Sequence, residues 1–257
     1  MIGRWWRQSL EARRISRRAI PDDLWAATLL QYPFLRRRND ANRQTLRDLT
    51  SLFLAEKEFS GAHGFVVTDA MAVAIAAQAC LPVLRLGLGA YARSVGVVVQ
   101  PGAVLARRQV TDEFGLVHHY DEPLSGEAME GGPVMLSWED VADAGRSAEQ
   151  GYNVVIHEFV HLIDMAGGSA TGMPPLPDRA ARQHWKMVME AAYERLCRAL
   201  ETGADSFLDP YAAEGLEEFF PVTAEAFFVA PGSLRLEEPA LYELFAGYFR
   251  QDPANDS

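Results

Sequence analysis

Apolar residues recur along most of this chain at spacings of three and four, with short continuous or alternating runs only in its middle, a pattern of helices flanking a small sheet. Pro21-Asp22-Asp23 reads as a helix start, with proline and acidic residues in the first turn ahead of Leu24, Trp25 and Leu29, and Pro33 ends it. A second helix is expected from about Asn42 to Phe59, where Leu46, Leu49 and Phe53 share a face. After Gly61 and Gly64, Phe65-Val66-Val67 has strand character. Thr68 or Asp69 can cap an alanine-rich helix through Ala79, which Pro82 stops. Val95-Gly96-Val97-Val98-Val99, closed by Pro101-Gly102, is the clearest strand. Gly115 to Tyr120 and Pro133 to Trp138 suggest a further strand pair across a glycine-rich connection.

The helical period then returns. Asn153 to Met165 is apolar nearly all round, as a buried helix would be, and Gly167-Gly168 should terminate it. Pro174, Pro175 and Pro177 force a loop before a long helix from Asp178 to about Thr202, striped by Trp185, Val188, Ala192, Leu196 and Leu200. Leu216 to Val229 is expected to be helical despite Pro221, and Pro239 to Arg250 carries Leu241, Leu244, Phe245 and Tyr248 at helical spacings. The residues after it, DPANDS, read as a polar tail. Helices, then a small mixed sheet, then helices argue for an α+β fold in one domain, 1–257: a basic arm at 1–20, a helical part at 21–60 and a core at 61–257.

Composition narrows the classes. With 49% hydrophobic residues over 257 positions the chain has the makings of an ordinary globule, and a net charge of -11 argues against direct nucleic-acid binding. Cys80 and Cys197 stand apart from any C-x-x-C pair, which argues against a disulfide framework and a cysteine-ligated zinc. The first twenty residues contain no continuous apolar stretch of the secretory type. The longest apolar run, Ala70 to Leu84, is interrupted by Gln78 and Pro82 and falls short of the roughly 20 residues of a membrane span. A cytoplasmic protein without a transmembrane segment is expected. The arm, with Trp5, Trp6 and the pairs Arg13-Arg14 and Arg17-Arg18, suits a solvated segment whose tryptophans rest on the body, or a membrane-surface or partner-docking arm. Arg36, Arg37 and Arg38 suggest a solvated turn.

Chemistry concentrates in the buried helix, which contains His157-Glu158-Phe159-Val160-His161, an H-E-x-x-H pattern. Residues four apart share a helix face, so His157 and His161 can turn their rings to one ion, while Glu158 is rotated by about 100° and can stand beside it. Two histidines and a glutamate buried together would be costly without an ion or partners. The arrangement is that of a zinc hydrolase, in which Glu158 acts as the general base. A catalytic zinc usually takes a third protein ligand, and the H-E-x-x-H-x-x-G-x-x-H continuation is absent. Asp164, on the same face, could ligate, but supporting a ligand ring or capping the helix end suits it better. His118-His119 could contribute at most one ring, because neighbouring strand residues face opposite ways. His63 and His184 lack companions. Edge pairing of an extended substrate could use Val95 to Val99 or Val134 to Trp138.

Acidic candidates for the third ligand cluster in Tyr211 to Glu225, and here the chain resembles a known family. It carries C-L-P-V-L-R-L-G from Cys80, G-L-V-H from Gly115, G-P-V-M-L-S-W from Gly132, I-H-E-F-V-H-L-I-D from Ile156, D-P-Y-A-A from Asp209, E-E-F-F from Glu217 and E-A-F-F-V-A-P from Glu225. These blocks, in this order, are similar to the Mlc titration factor A family of bacterial zinc peptidases, whose catalytic core is related to the lethal factor metalloprotease. The resemblance implies a zincin-like fold, a small mixed sheet packed against the H-E-x-x-H helix. It implies one Zn2+ per chain on His157, His161 and Glu218, the glutamate seven residues beyond Tyr211, with Glu158 as base. Tyr211 would stabilise the oxyanion, and Glu225 would support the ligands. Pro221 departs from the family, where a small residue is more usual, and the neighbouring Glu217 leaves the choice between Glu217 and Glu218 to register. Solvated Glu217 and Glu225, and a Tyr211 that only packs, stay open. The resemblance further implies an aminopeptidase-like activity on small peptides, or, in a different class, a regulatory protein that binds a sugar-responsive transcriptional repressor.

Overall fold

Val97, Val99, Val134 and Leu136 are all buried, and they pair across two parallel strands, Val97 opposite Val134 and Val99 opposite Leu136. Alternate residues of a strand share a face, so this run of valines gives the sheet its apolar side. The computed structural model describes residues 19–111, 117–129 and 131–256. Residues 1–18 of the basic arm, Trp5 and Trp6 among them, lie outside these. Helices α1 (Asp22–Gln31), α2 (Pro33–Arg36) and α3 (Asp40–Glu56) precede strand β1 (Glu58–Gly61); α4 (Asp69–Cys80) leads to β2 (Gly96–Gln100). Strands β3 (Val104–Thr111) and β4 (Val117–Leu124) form an antiparallel pair of their own, followed by β5 (Gly126–Ala128) and β6 (Val134–Ser137). The remainder is helical: α5 (Trp138–Ser147), α6 (Val154–Asp164), α7 (Arg179–Glu201), α8 (Leu216–Val229), α9 (Pro231–Glu237) and α10 (Pro239–Phe249). The main sheet runs β1-β2-β6-β5, with only β5 antiparallel. The fold is mixed α+β. Among the described residues no helix is long and apolar enough to cross a membrane.

Helices α3, α4, α6 and α7 begin where a side chain serves an orphan N–H group of the first turn. Asn39, Thr68, Asn153 and Asp178 accept from the backbone N–H three residues on, at 2.9, 3.3, 2.9 and 2.8 Å. Each such cap is worth about 1 kcal/mol. Pro221 sits inside α8, which keeps the predicted bounds. From Phe219 to Val229 every residue of that helix is buried, because α6, α7 and α10 pack around it. Its aromatics meet their neighbours edge-on or tilted: Phe220 lies 5.2 Å from Trp185 and 5.6 Å from Phe245, and Phe227 lies 5.2 Å from Tyr242. On the other side of the motif helix, Phe159 meets Tyr91 at 4.9 Å and Phe53 at 5.6 Å.

Several expectations are corrected. The helix predicted to Phe59 ends at Glu56, and Glu58 to Gly61 turn into β1, which takes a place beside β2. Phe65 to Val67 form no strand, and Val66 is exposed. Strand β6 pairs with β2 and β5 rather than with the Gly115 to Tyr120 segment. The part of that segment from Val117 onwards pairs with β3, a strand the pattern did not suggest, while Gly115 and Leu116 lie outside the described residues. Neither Val95 to Val99 nor Val134 to Trp138 supplies a sheet edge, because β2 and β6 each have neighbours on both sides; the edges are β1 and β5. A helix at Pro231–Glu237 was not expected.

Of the three arginines, Arg36 and Arg37 are exposed, but Arg38 is buried, donating to the Phe228 carbonyl at 3.0 Å and lying 3.8 Å from Asp256. Asp256 also accepts from Asn42 at 2.6 and 2.7 Å and from Asn39. The polar tail is therefore docked, and its charge is what lets a guanidinium sit in the core.

Candidate metal centre

Helices α6 and α8 pack against each other, and the polar residues of this otherwise apolar contact meet at one place. His157, buried at 9% exposure, has its Nε2 3.1 Å from His161 Nε2 and 3.2 Å from Glu218 Oε2, and the third side of this triangle, His161 Nε2 to Glu218 Oε2, is 3.4 Å. Among the described residues these three are the group able to hold a metal ion. Glu217, its neighbour in sequence, is exposed.

The other end of the His157 ring is held as firmly. Nδ1 donates to Glu225 Oε1 at 2.7 Å, and Glu225 Oε2 accepts the Asn153 N–H. Asn153 caps α6 through Ile156 N and donates through Nδ2 to Gln78 Oε1 at 2.8 Å, while Gln78 donates to the Ala74 carbonyl at 3.1 Å. A buried chain of hydrogen bonds thus runs from α4 to the imidazole. A neutral ring that turns its one proton on Nδ1 to Glu225 offers the Nε2 lone pair to the triangle, as a metal ligand must.

Charge at the site is unbalanced without a cation. Burial opposes charge on His157, but Glu225, Glu218 and Glu158 outweigh it and raise the imidazole pKa well above its ordinary value. Burial likewise works against a charged Glu218, yet the hydrogen bonds with His157 and His161 prevail and hold its carboxyl well below the usual range. Burial pushes Glu158 and Glu225 up. A histidine driven towards protonation among three carboxylates marks a place short of positive charge, which a divalent cation makes good. The spacing suits one too: four-coordinate zinc with bonds of about 2.0–2.1 Å separates its ligands by about 3.3 Å. The residues present fit the ion.

Glu158, 5% exposed, leaves Oε2 without a hydrogen-bond partner in the protein and lines a cavity that also contains His157 and Tyr211. The Tyr211 ring lies 6.1 Å from that of His157 and is partly exposed. Asp164 lies at the end of α6, and its Oδ2 accepts from Thr171 N and Gly172 N, both at 2.7 Å. Gly172 lies so close to the start of α8 that an added Cβ would be 2.2 Å from the Leu216 carbonyl oxygen. Asp164 therefore fixes a loop lying against the first residue of the helix that bears Glu218. His118 and His119 belong by their backbone to β4, in the separate two-stranded sheet, and their side chains lie outside the described residues; His63 and His184 are exposed.

Sequence reasoning missed Gly126. A Cβ there would stand 2.6 Å from both Cγ and Oε1 of Glu158, so the backbone of β5 comes as near the glutamate as glycine permits. The cue was the glycine-rich connection, which read only as a turn. The Asn153–Gln78 link was missed as well, since residues 75 apart in the chain show no spacing that betrays contact.

The chain was compared with known proteins. Residues 4–250 match the model of the glucose-regulated metallo-peptidase M90 family. A protein named Mlc titration factor A from Pectobacterium atrosepticum is 36% identical over 233 residues, covering 89% of this chain and 86% of its own. Its namesake from Serratia proteamaculans is 35% identical over 227 residues, 87% and 86% of the two chains. An uncharacterized protein of Synechocystis is 32% identical over 249 residues, 96% and 89%.

Proposed function

The chain belongs to the glucose-regulated metallo-peptidase M90 family, and from that premise we propose that it hydrolyses peptide bonds, in aminopeptidase-like fashion on small peptides, with zinc held by His157, His161 and Glu218. The observation that carries this reading is the triangle of ligand atoms, 3.1, 3.2 and 3.4 Å on its sides. Zinc in such a site supplies Lewis acidity, which acidifies water and polarises a carbonyl. Glu158 takes the proton of the attacking water and passes it to the leaving amine; a carboxylate with one unpartnered, buried oxygen is suited to both steps. Tyr211 donates a hydrogen bond to the developing oxyanion. Glu225 keeps the His157 ring oriented and its proton on Nδ1. The substrate main chain pairs with the β5 edge at Gly126, beside Glu158.

The test is Glu158→Gln. The variant should bind zinc with wild-type stoichiometry and lose peptide hydrolysis by 10²-fold or more, on the order of what a positioned acid–base group contributes. Retained turnover would sink the assignment.

The name that the Pectobacterium and Serratia relatives carry supports a second reading, in which this chain binds a transcriptional repressor. Capture of that repressor by wild type and Glu158→Gln alike, with negligible hydrolysis by either, would favour it.

A further inference from the structure

Next to His157 and Glu158 the protein keeps a cavity of about 230 Å³. Its apolar walls are Val154 of α6, Val222 and Ala226 of α8, and Tyr152, Phe207 and Leu208 from the flanking loops. The space persists because small residues face it. Gly151, at φ 84°, has no side chain, and a Cβ there would meet Phe207 Cζ at 3.5 Å and Ala226 Cβ at 3.6 Å. A cavity of about 150 Å³ with apolar walls already admits a benzene ring.

The polar members of the wall decide what the cavity refuses. Its carboxylate side chains are Glu158, Glu225 and Asp209, with no lysine or arginine among the lining residues, so an acidic group would find like charge and no basic side chain to pair with. Of the carboxylates, both oxygens of Glu225 are already bonded to His157 and Asn153, Asp209 is exposed with Oδ1 accepting from Tyr211 N, and the one buried oxygen without a partner, Oε2 of Glu158, is the one the proposed hydrolysis uses as base.

We infer that this cavity binds the side chain of the peptide residue beside the scissile bond, and that it selects a large apolar chain, leucine- or phenylalanine-like, over small and acidic ones. Ala226 sets the depth. The inference rests on the peptidase reading and adds the substrate class to it. In a hydrophobic subsite one methylene more or less changes kcat/KM by about 10- to 200-fold, so filling or enlarging the cavity should be conspicuous.

Two measurements test it. Zinc-loaded wild type, Ala226→Leu and Phe207→Ala are given peptides that differ only in the residue on either side of the cleaved bond. The ratio of kcat/KM for phenylalanine over alanine at one of these positions should fall at least about tenfold in Ala226→Leu. In Phe207→Ala, which remains informative if Ala226→Leu fails to fold, preference should move towards still larger groups. Unchanged ratios in a variant that still cleaves overturn the inference. Independently of catalysis, toluene titrated into the wild-type protein should shift the Ala226 methyl resonance, and absence of any shift overturns the apolar site itself. A wild type that binds toluene but cleaves none of the peptides refutes the peptidase reading while leaving the apolar site standing.

Discussion

Replacing Glu225 by glutamine separates the two things its carboxylate does. The side chain is 1% exposed; Oε1 accepts from His157 Nδ1 at 2.7 Å and Oε2 from the Asn153 N–H. Glutamine keeps the volume and one acceptor, but its NH2 must face one of these two donors. A buried donor left without a partner costs about 1–3 kcal/mol, and for a chain of this size each kcal/mol moves Tm by about 2–4 °C. The metal-free protein should therefore melt about 2–12 °C lower. On the His157 side the loss has a second consequence: the ring is no longer fixed in orientation or tautomer, and removing such a partner typically weakens metal binding by about 10- to 100-fold. Calorimetric melting of the metal-free protein measures the first effect, and competition for zinc against a chromophoric chelator the second. Zinc affinity within about twofold of wild type would refute the claim that Glu225 prepares His157 as a ligand, whatever happens to Tm.

Two further substitutions probe the supports of the site and of the fold. In Gly126→Ala the new methyl would fall 2.6 Å from Glu158 Cγ and Oε1; the glutamate must move, and turnover should drop by up to about 10²-fold while zinc stays bound, so undiminished kcat would refute the close approach of β5. Asp256→Ala removes the counter-charge of Arg38, whose side chain is 3% exposed and whose Nε has no partner. Breaking a buried pair from one side costs about 3–5 kcal/mol, and a denaturant midpoint equal to that of wild type would show the tail to be ornamental.

Legibility followed the range of the interactions concerned. The start of α4 was readable because Thr68 and the N–H it caps are three residues apart, and α8 kept its predicted bounds because an unbroken apolar run of that length has few other uses. Strand partners were not readable, since Val134 to Ser137 are apolar enough to lie beside any strand, and β1, with the sequence Glu58-Phe59-Ser60-Gly61, has no pattern at all and is a strand only because β2 stands open beside it. Arg38 misled for a related reason: its anion lies 218 positions away, and without it three successive arginines do look like a solvated turn.

The choice between Glu217 and Glu218 was more tractable than it looked. Seven residues advance a helix by two turns less about 20°, whereas eight leave a difference of about 80°, so only Glu218 shares a face with Glu225. Both glutamates hold the same imidazole, Glu218 at Nε2 and Glu225 at Nδ1. Sliding α8 by one residue would remove both at once. Whatever fixes Glu225 on His157 therefore also places Glu218 in the triangle. It follows that Glu217→Gln should leave zinc affinity unchanged and Glu218→Gln should not; the opposite result would mean that α8 lies in another register in solution.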